Sequence, residues 1–271
     1  MYRERFYRES FSSSRFYSCA INEGESDIWI GWNYTDIPSG GLSETIKLNA
    51  AEILHSLRKD ITAYGQEHPA FFSSLEPLPE NKTAAPIVQS MLEAGTLTGT
   101  GPMAAVAGAI AEALGTALEA FIKNNSSKNT LREIVIENGG DFWIKIEEPL
   151  HISVYAGLSS LSNKFSIIID PDMSPCGLAC SSGTVGPSIS FGKTDAALVI
   201  AHDAAAADAW ATALGNRIHY QSDLEREVTA IAEIEGIPEK LRPQGVLAVL
   251  GSNMAAAGKI KFGPPDSRMA E

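Results

Sequence analysis

Long apolar runs are missing from this chain. A membrane-spanning helix needs about 20 predominantly apolar residues, and the longest candidate, residues 103–114, is interrupted by Glu112. No membrane partner is expected. A basic surplus is missing too: 21 Lys and Arg face 33 Asp and Glu, a formal net charge of −12. A field of that sign repels phosphate backbones, so no nucleic-acid partner is expected. An anionic ligand would need local help from backbone N–H groups, a helix N-terminus or a cation. Cysteine is scarce, with only Cys19, Cys176 and Cys180. The start, Met1-Tyr2-Arg3-Glu4-Arg5, has no apolar leader segment. An odd cysteine count without such a leader points to a reducing, cytoplasmic setting and no disulfide framework. Cys176 and Cys180 have no histidine or second cysteine pair to complete a zinc set, His55, His68, His151 and His219 show no metal spacing, and His202, alone between a strand and a helix, reads as structural. The two thiols read as small buried side chains.

What is present is ordinary globular composition, 44% hydrophobic and 20% charged. Short aromatic and β-branched runs at 15–21 and 27–32, divided by Asn22-Glu23-Gly24, predict a β-hairpin. Leu54, Leu57, Ile61 and Tyr64 are spaced three and four apart and predict a helix over 43–64. Residues 71–82 read as a loop. Pro86 suits a first helical turn, with Ile87, Met91 and Ala94 as its apolar stripe. A Gly/Thr break at 95–101 leads into a small-residue helix over 102–123. Strands are predicted at 134–137, 142–146, 152–155, 165–169, 196–200, 246–250 and 259–262. An alanine-rich helix, 204–214, has Asp203 as N-cap and Gly215 at its end, and a polar helix is predicted over 223–235. Helices and strands come in blocks, which predicts an α+β fold of mixed or antiparallel sheets packed with alanine-rich helices. With no repeat or low-complexity linker, residues 1–271 read as one domain, built as one unit or as two interlocked lobes.

Four segments have the residues for chemistry. Gly99 and Gly101 lie in a turn entering a helix, whose N-terminal amides suit an anion; an ordinary tight loop before a core helix is the favoured alternative. Asn138, Gly139, Gly140 and Asp141 form a hairpin-turn signal, with Asp141 placed where a ligand-facing carboxylate would sit. Ser181, Ser182, Gly183 and Thr184 combine hydroxyls with exposed amides, a phosphate or carbonyl cradle. Asp208 and Thr212 are four apart and share a helix face. One carboxylate and one hydroxyl among alanines suit Mg²⁺, which keeps sites for phosphate oxygens; a solvated Asp and a Thr bonded back to its helix fit as well.

Together these segments resemble a known family. Residues 137–141 resemble the Gly-Gly-Asp turn of the ApbE-like superfamily, 179–183 its Ala-Thr-Ser-Gly segment, and 207–213 its Ala-Asp-Ala-x-Ala-Thr-Ala helix, in the same order. The chain is most similar to an uncharacterised, non-lipoprotein branch with Gly-Pro-Met-Ala-Ala-Val-Ala-Gly-Ala-Ile-Ala-Glu, here 101–112, Ser-Ser-Gly-Thr-Val-Gly, here 181–186, and Ser-Phe-Gly-Lys, here 190–193. Characterised members transfer FMN from FAD to a threonine of an acceptor protein with Mg²⁺. The resemblance implies that Asp208 and Thr212 hold Mg²⁺ as the catalytic pair. It implies that Gly99, Gly101, 138–141 and 181–184 cradle a flavin nucleotide, FAD or FMN. The lysine of the characterised enzymes is absent from 101–112, and a His-x-x-Asp-Pro stretch is absent after 186. Three functions stay open at this point: a divergent FMN transferase, a cofactor-binding protein that retains the fold without catalysis, and an oligomerisation module whose alanine-rich helices pack between copies.

Overall fold

The computed structural model describes residues 15–34, 42–125, 131–183 and 192–265. Its frame is an eight-stranded sheet in which every neighbouring pair is antiparallel. The strands are β1 (Tyr17–Glu23), β2 (Ser26–Tyr34), β3 (Leu131–Asn138), β4 (Asp141–Lys145), β7 (Cys176–Ser181), β8 (Ala196–Ala201), β9 (Pro243–Leu250) and β10 (Asn253–Gly258), in that spatial order. The gap in numbering is filled by β5 (Leu150–Ser153) and β6 (Ser166–Ile169). These two form a second, three-stranded sheet with β11 (Phe262–Gly263).

Period-two alternation sorts the side chains between the two faces of the large sheet. Along β3, Ile134 and Ile136 point to the helical side, while Val135 joins the core under the small sheet. Along β8, Ala197, Val199 and Ala201 face helices, and Ala196, Leu198 and Ile200 face β5 and β6. Helices therefore cover one face and the three-stranded sheet covers the other.

The helical layer has α1 (Leu42–Glu67), α3 (Pro86–Thr98) and α4 (Val106–Asn125) over the first half of the sheet. The single turn α2 (Ala70–Ser73) overlaps the start of the expected 71–82 loop. Over the second half lie α5 (Ala204–Arg217) and α6 (Leu224–Ala232). Alanines on α5 meet alanines on β7 and β8, so the helix sits close to the sheet. Gly177 makes the closest approach: a Cβ there would lie 2.3 Å from the Ala204 Cα. The alanine-rich helices α4 and α5 pack on each other within the chain.

Several elements differ from expectation. Residues 176–181 are a central strand, which takes in Ser181 of the expected cradle. Gly215 is interior to α5, which runs to Arg217. Gly192 packs so tightly on that turn that a Cβ there would fall 1.7 Å from the Gly215 carbonyl oxygen. β10 was not expected at all, and of 259–262 only the last residue pairs. The one stretch among the described residues long and apolar enough to cross a membrane, Pro102–Asn124, is the core helix α4 with its entry turn.

Candidate functional site

The site is built around the crossing of α4 and α5. At that crossing a Cβ on Gly108 would lie 2.1 Å from the Ala204 carbonyl oxygen and 2.9 Å from the Asp208 Cβ. Only glycine lets the backbones touch this closely. Asp203 N-caps α5, accepting from the Ala206 N–H at 2.9 Å as its position predicts. One turn further on, Asp208 reaches back to α4, where its Oδ2 accepts from the N–H groups of Ala107 (3.1 Å) and Gly108 (2.9 Å).

Two effects oppose each other at this carboxyl. Burial disfavours the charge, and the two N–H bonds favour it. Burial is the larger, and the Asp208 pKa is raised from 3.8 to about 7. Both bonds fall on Oδ2. A carboxylate has about four acceptor positions, so Oδ1 keeps capacity for a further partner. Thr212, half-buried, follows one turn along the same face of α5.

The β3–β4 turn stands beside this crossing. Gly139 (φ 77°) and Gly140 (φ 106°) take the two left-handed positions of a two-residue hairpin, which favour glycine. The Glu137 carboxylate accepts from the Gly140 N–H at 2.8 Å and fixes the turn. Buried Asn138 donates its side-chain amide to the Ala107 carbonyl at 3.2 Å, so turn and α4 N-terminus are tied together. Asp141 Oδ1 accepts from the Cys180 N–H at 3.2 Å, linking the turn to β7.

The end of β7 leads to the third segment. Ser181 is buried, the Ser182 hydroxyl donates to the Thr194 carbonyl at 3.4 Å, and the Gly183 N–H donates to the same carbonyl at 2.9 Å. α5 starts over Gly177 of β7, and Gly192 packs on its turn at Gly215. Thr184 lies outside the described residues, as do 185–191. Burial pushes the Cys176 and Cys180 thiols up to about 12, which makes both poor nucleophiles.

The first segment is arranged differently. Gly99 is the left-handed C-cap of α3 (φ 75°), with open space where a Cβ would be. Gly101 packs on the Ser74 carbonyl oxygen, 1.8 Å from where a Cβ would stand. Pro102–Ala105 is a 3₁₀ turn, so the α4 N-terminus begins at Val106. Two amides of that N-terminus are already bonded to Asp208. His202 Nδ1 donates to the Pro175 carbonyl (3.3 Å), a structural contact.

Glu112 belongs to the site, and the sequence marks it only as the one charge within the apolar stretch 103–114. Its Oε2 accepts from the Ala204 N–H at 2.5 Å, at the start of α5. Burial and Asp203 raise its pKa to about 7, against the Ala204 N–H and Lys240, which lower it. Among the described residues no three His, Cys, Asp or Glu side chains converge as a metal cluster. A shallow cleft between Asp170, Asp172, Met173 and residues 259–261 opens on the three-stranded side of the molecule, on the face opposite α5.

Residues 8–235 match the family model described as AbpE bacteria. The UPF0280 protein of Methanothrix thermoacetophila is 38% identical over 227 residues, covering 83% of this chain and 87% of that one. The UPF0280 protein of Methanocella arvoryzae is 37% identical over 209 residues, 77% and 79% of the two chains. Among solved structures, a mutant of flavin transferase ApbE from Vibrio cholerae superposes with TM-score 0.55 at 11% identity, covering 90% of this chain and 97% of that one. The ApbE protein of Thermotoga maritima does so with TM-score 0.51 at 14% identity and the same coverage. These two establish the shared α+β fold. By its family match and its relatives, the chain belongs to the AbpE bacteria family, an ApbE-like superfamily member in the UPF0280 branch.

Proposed function

We propose that this protein binds a flavin dinucleotide along the α5 face, with Mg²⁺ held by Asp208 and Thr212, and transfers FMN to a hydroxyl of an acceptor protein. The observation that carries the proposal is Asp208 itself. It is a desolvated carboxylate whose two bonds occupy one oxygen, with a threonine one turn away on the same face. The donor chemistry fits Mg²⁺, which uses one or two protein oxygens and completes its shell with water and phosphate. A bound Mg²⁺ would neutralise diphosphate charge. Asn138 and Asp141 hold the β3–β4 turn against α4 and β7. In the transfer, the acceptor oxygen forms a bond to the FMN phosphorus, the diphosphate P–O bond breaks, AMP leaves, and the hydroxyl proton passes to solvent.

A second function is favoured by two observations. Asp208 already has structural work as the cap of α4, and 101–112 contains no lysine. A protein with these features could retain the pocket and bind the cofactor without turnover. The test is a titration of purified protein with FAD and FMN, with and without Mg²⁺, read by flavin fluorescence. Saturable, Mg²⁺-dependent FAD binding that Asp208→Asn removes supports the proposal. Release of AMP on adding an acceptor protein separates transferase from binder. No flavin binding under either condition overturns the flavin assignment for both.

A further inference from the structure

We infer that Glu112 is the positioning residue for Asp208, acting through a reciprocal pair of side-chain caps between two antiparallel helices. The inference rests on the reading of Asp208 as the acid of the site. Glu112 and Gly108 are one turn apart on α4, and Ala204 and Asp208 are one turn apart on α5. Glu112 on α4 accepts from the first N–H of α5, at Ala204. Asp208 on α5 accepts from the first turn of α4, at Ala107 and Gly108. Between the two bonds the backbones touch, Gly108 against the Ala204 carbonyl. Each helix thus supplies the anion that satisfies the other's N-terminal amides.

The geometry makes the two caps dependent on each other. A helix end can slide or rotate about one contact, but two bonds on either side of a backbone contact fix both rotation and register. The Glu112 bond holds the start of α5, and Asp208 lies one turn along that same rigid helix. Asp203 is the other acid at this helix start. It bonds to the Ala206 N–H and to Lys240 (3.7 Å), so it leaves the Ala204 N–H to Glu112 alone. Loss of the Glu112 acceptor would free the first turn of α5 and let the Asp208 carboxylate leave Ala107 and Gly108. The orientation of Oδ1 would be lost with it.

The test compares the full-length protein with Glu112→Ala and Glu112→Gln, the second of which keeps an acceptor oxygen. Amide hydrogen exchange at Ala107 and Gly108 reports where Asp208 is, with or without a ligand, and amides of α6 serve as the internal control for global stability. Positioning predicts at least tenfold faster exchange at Ala107 and Gly108 in Glu112→Ala than in wild type, with α6 unchanged, and near-wild-type exchange in Glu112→Gln. Unchanged exchange at these two amides in Glu112→Ala overturns the inference, as does an equal rise at α6, which marks a merely structural role. Should Glu112→Ala fail to fold, Glu112→Gln with faster exchange at these two amides also overturns it. Mg²⁺ alone is titrated in parallel. If wild type binds Mg²⁺, Glu112→Ala should bind it at least tenfold more weakly and Glu112→Gln within threefold. If wild type binds none, the ion assignment of Asp208 fails, while the exchange result still decides the positioning role.

Discussion

Asp208 is the residue at which stability and function pull apart. Its pKa is raised from 3.8 to about 7 by burial, against two N–H bonds that lower it. Between those values the folded protein holds a proton that the unfolded chain releases. The stability this proton confers is therefore fully present below about pH 4 and is lost as the pH rises through about 7. Asp208→Asn keeps an acceptor oxygen for Ala107 and Gly108 and removes the titration. The variant should match wild type near pH 4 and exceed it at pH 8, by on the order of 2 kcal/mol, as read from urea midpoints. Saturating Mg²⁺ at pH 8 should raise the wild type alone and close the gap. A variant less stable than wild type at pH 8 would mean that the ionised carboxylate is a net stabiliser, with no strain for a cation to relieve. Much of this residue was legible in the sequence. Its four-residue spacing from Thr212 placed the pair on one face. The partner amides, 101 and 100 positions away, left no local trace.

The crossing of α4 and α5 shows the same division at the level of elements. Helix propensity alone says that Gly108→Ala should stabilise α4 by roughly 1 kcal/mol. The contact says otherwise, because the new Cβ would meet the Ala204 carbonyl oxygen at 2.1 Å, a backbone atom that cannot move aside. Separating the helices would also stretch the bonds made by Glu112 and Asp208. A net loss of about 2–4 kcal/mol is expected, measured by chemical denaturation. A gain would show that the helices are free to part. The hairpin of β1 and β2, the start of α3 at Pro86, the Gly139-Gly140 turn and the Asp203 cap could all be read from local chemistry. β7 could not, because its glycine and small side chains answer to the helix above it: Gly177 has no Cβ because Ala204 stands there. β10, Asn-Met-Ala-Ala-Ala-Gly, has neither β-branching nor aromatics, and only its pairing with β9 makes it a strand. Gly215 looked like a helix end and is interior, since Gly192 packs against that turn.

At the scale of the whole molecule, charge sets the terms for any flavin ligand. The chain has a net charge of −12, and FAD carries its own negative diphosphate. Their long-range interaction is repulsive, and attraction has to come from short-range groups: amides, hydroxyls and a bound cation. Salt screens the repulsion over a Debye length of about 10 Å at 0.1 M while leaving buried contacts little changed. With Mg²⁺ saturating throughout, FAD affinity should therefore rise as NaCl goes from low to moderate concentration, by about two- to fivefold. Equilibrium titrations at about 20 and 200 mM NaCl measure it. A fall in affinity over that range would place a local positive field at the ligand, strong enough to outweigh the acidic surface. The ligand would then sit beside basic side chains such as Lys193, whose ammonium lies 5.7 Å from the Tyr220 ring centre, and not against the carboxylate of Asp208.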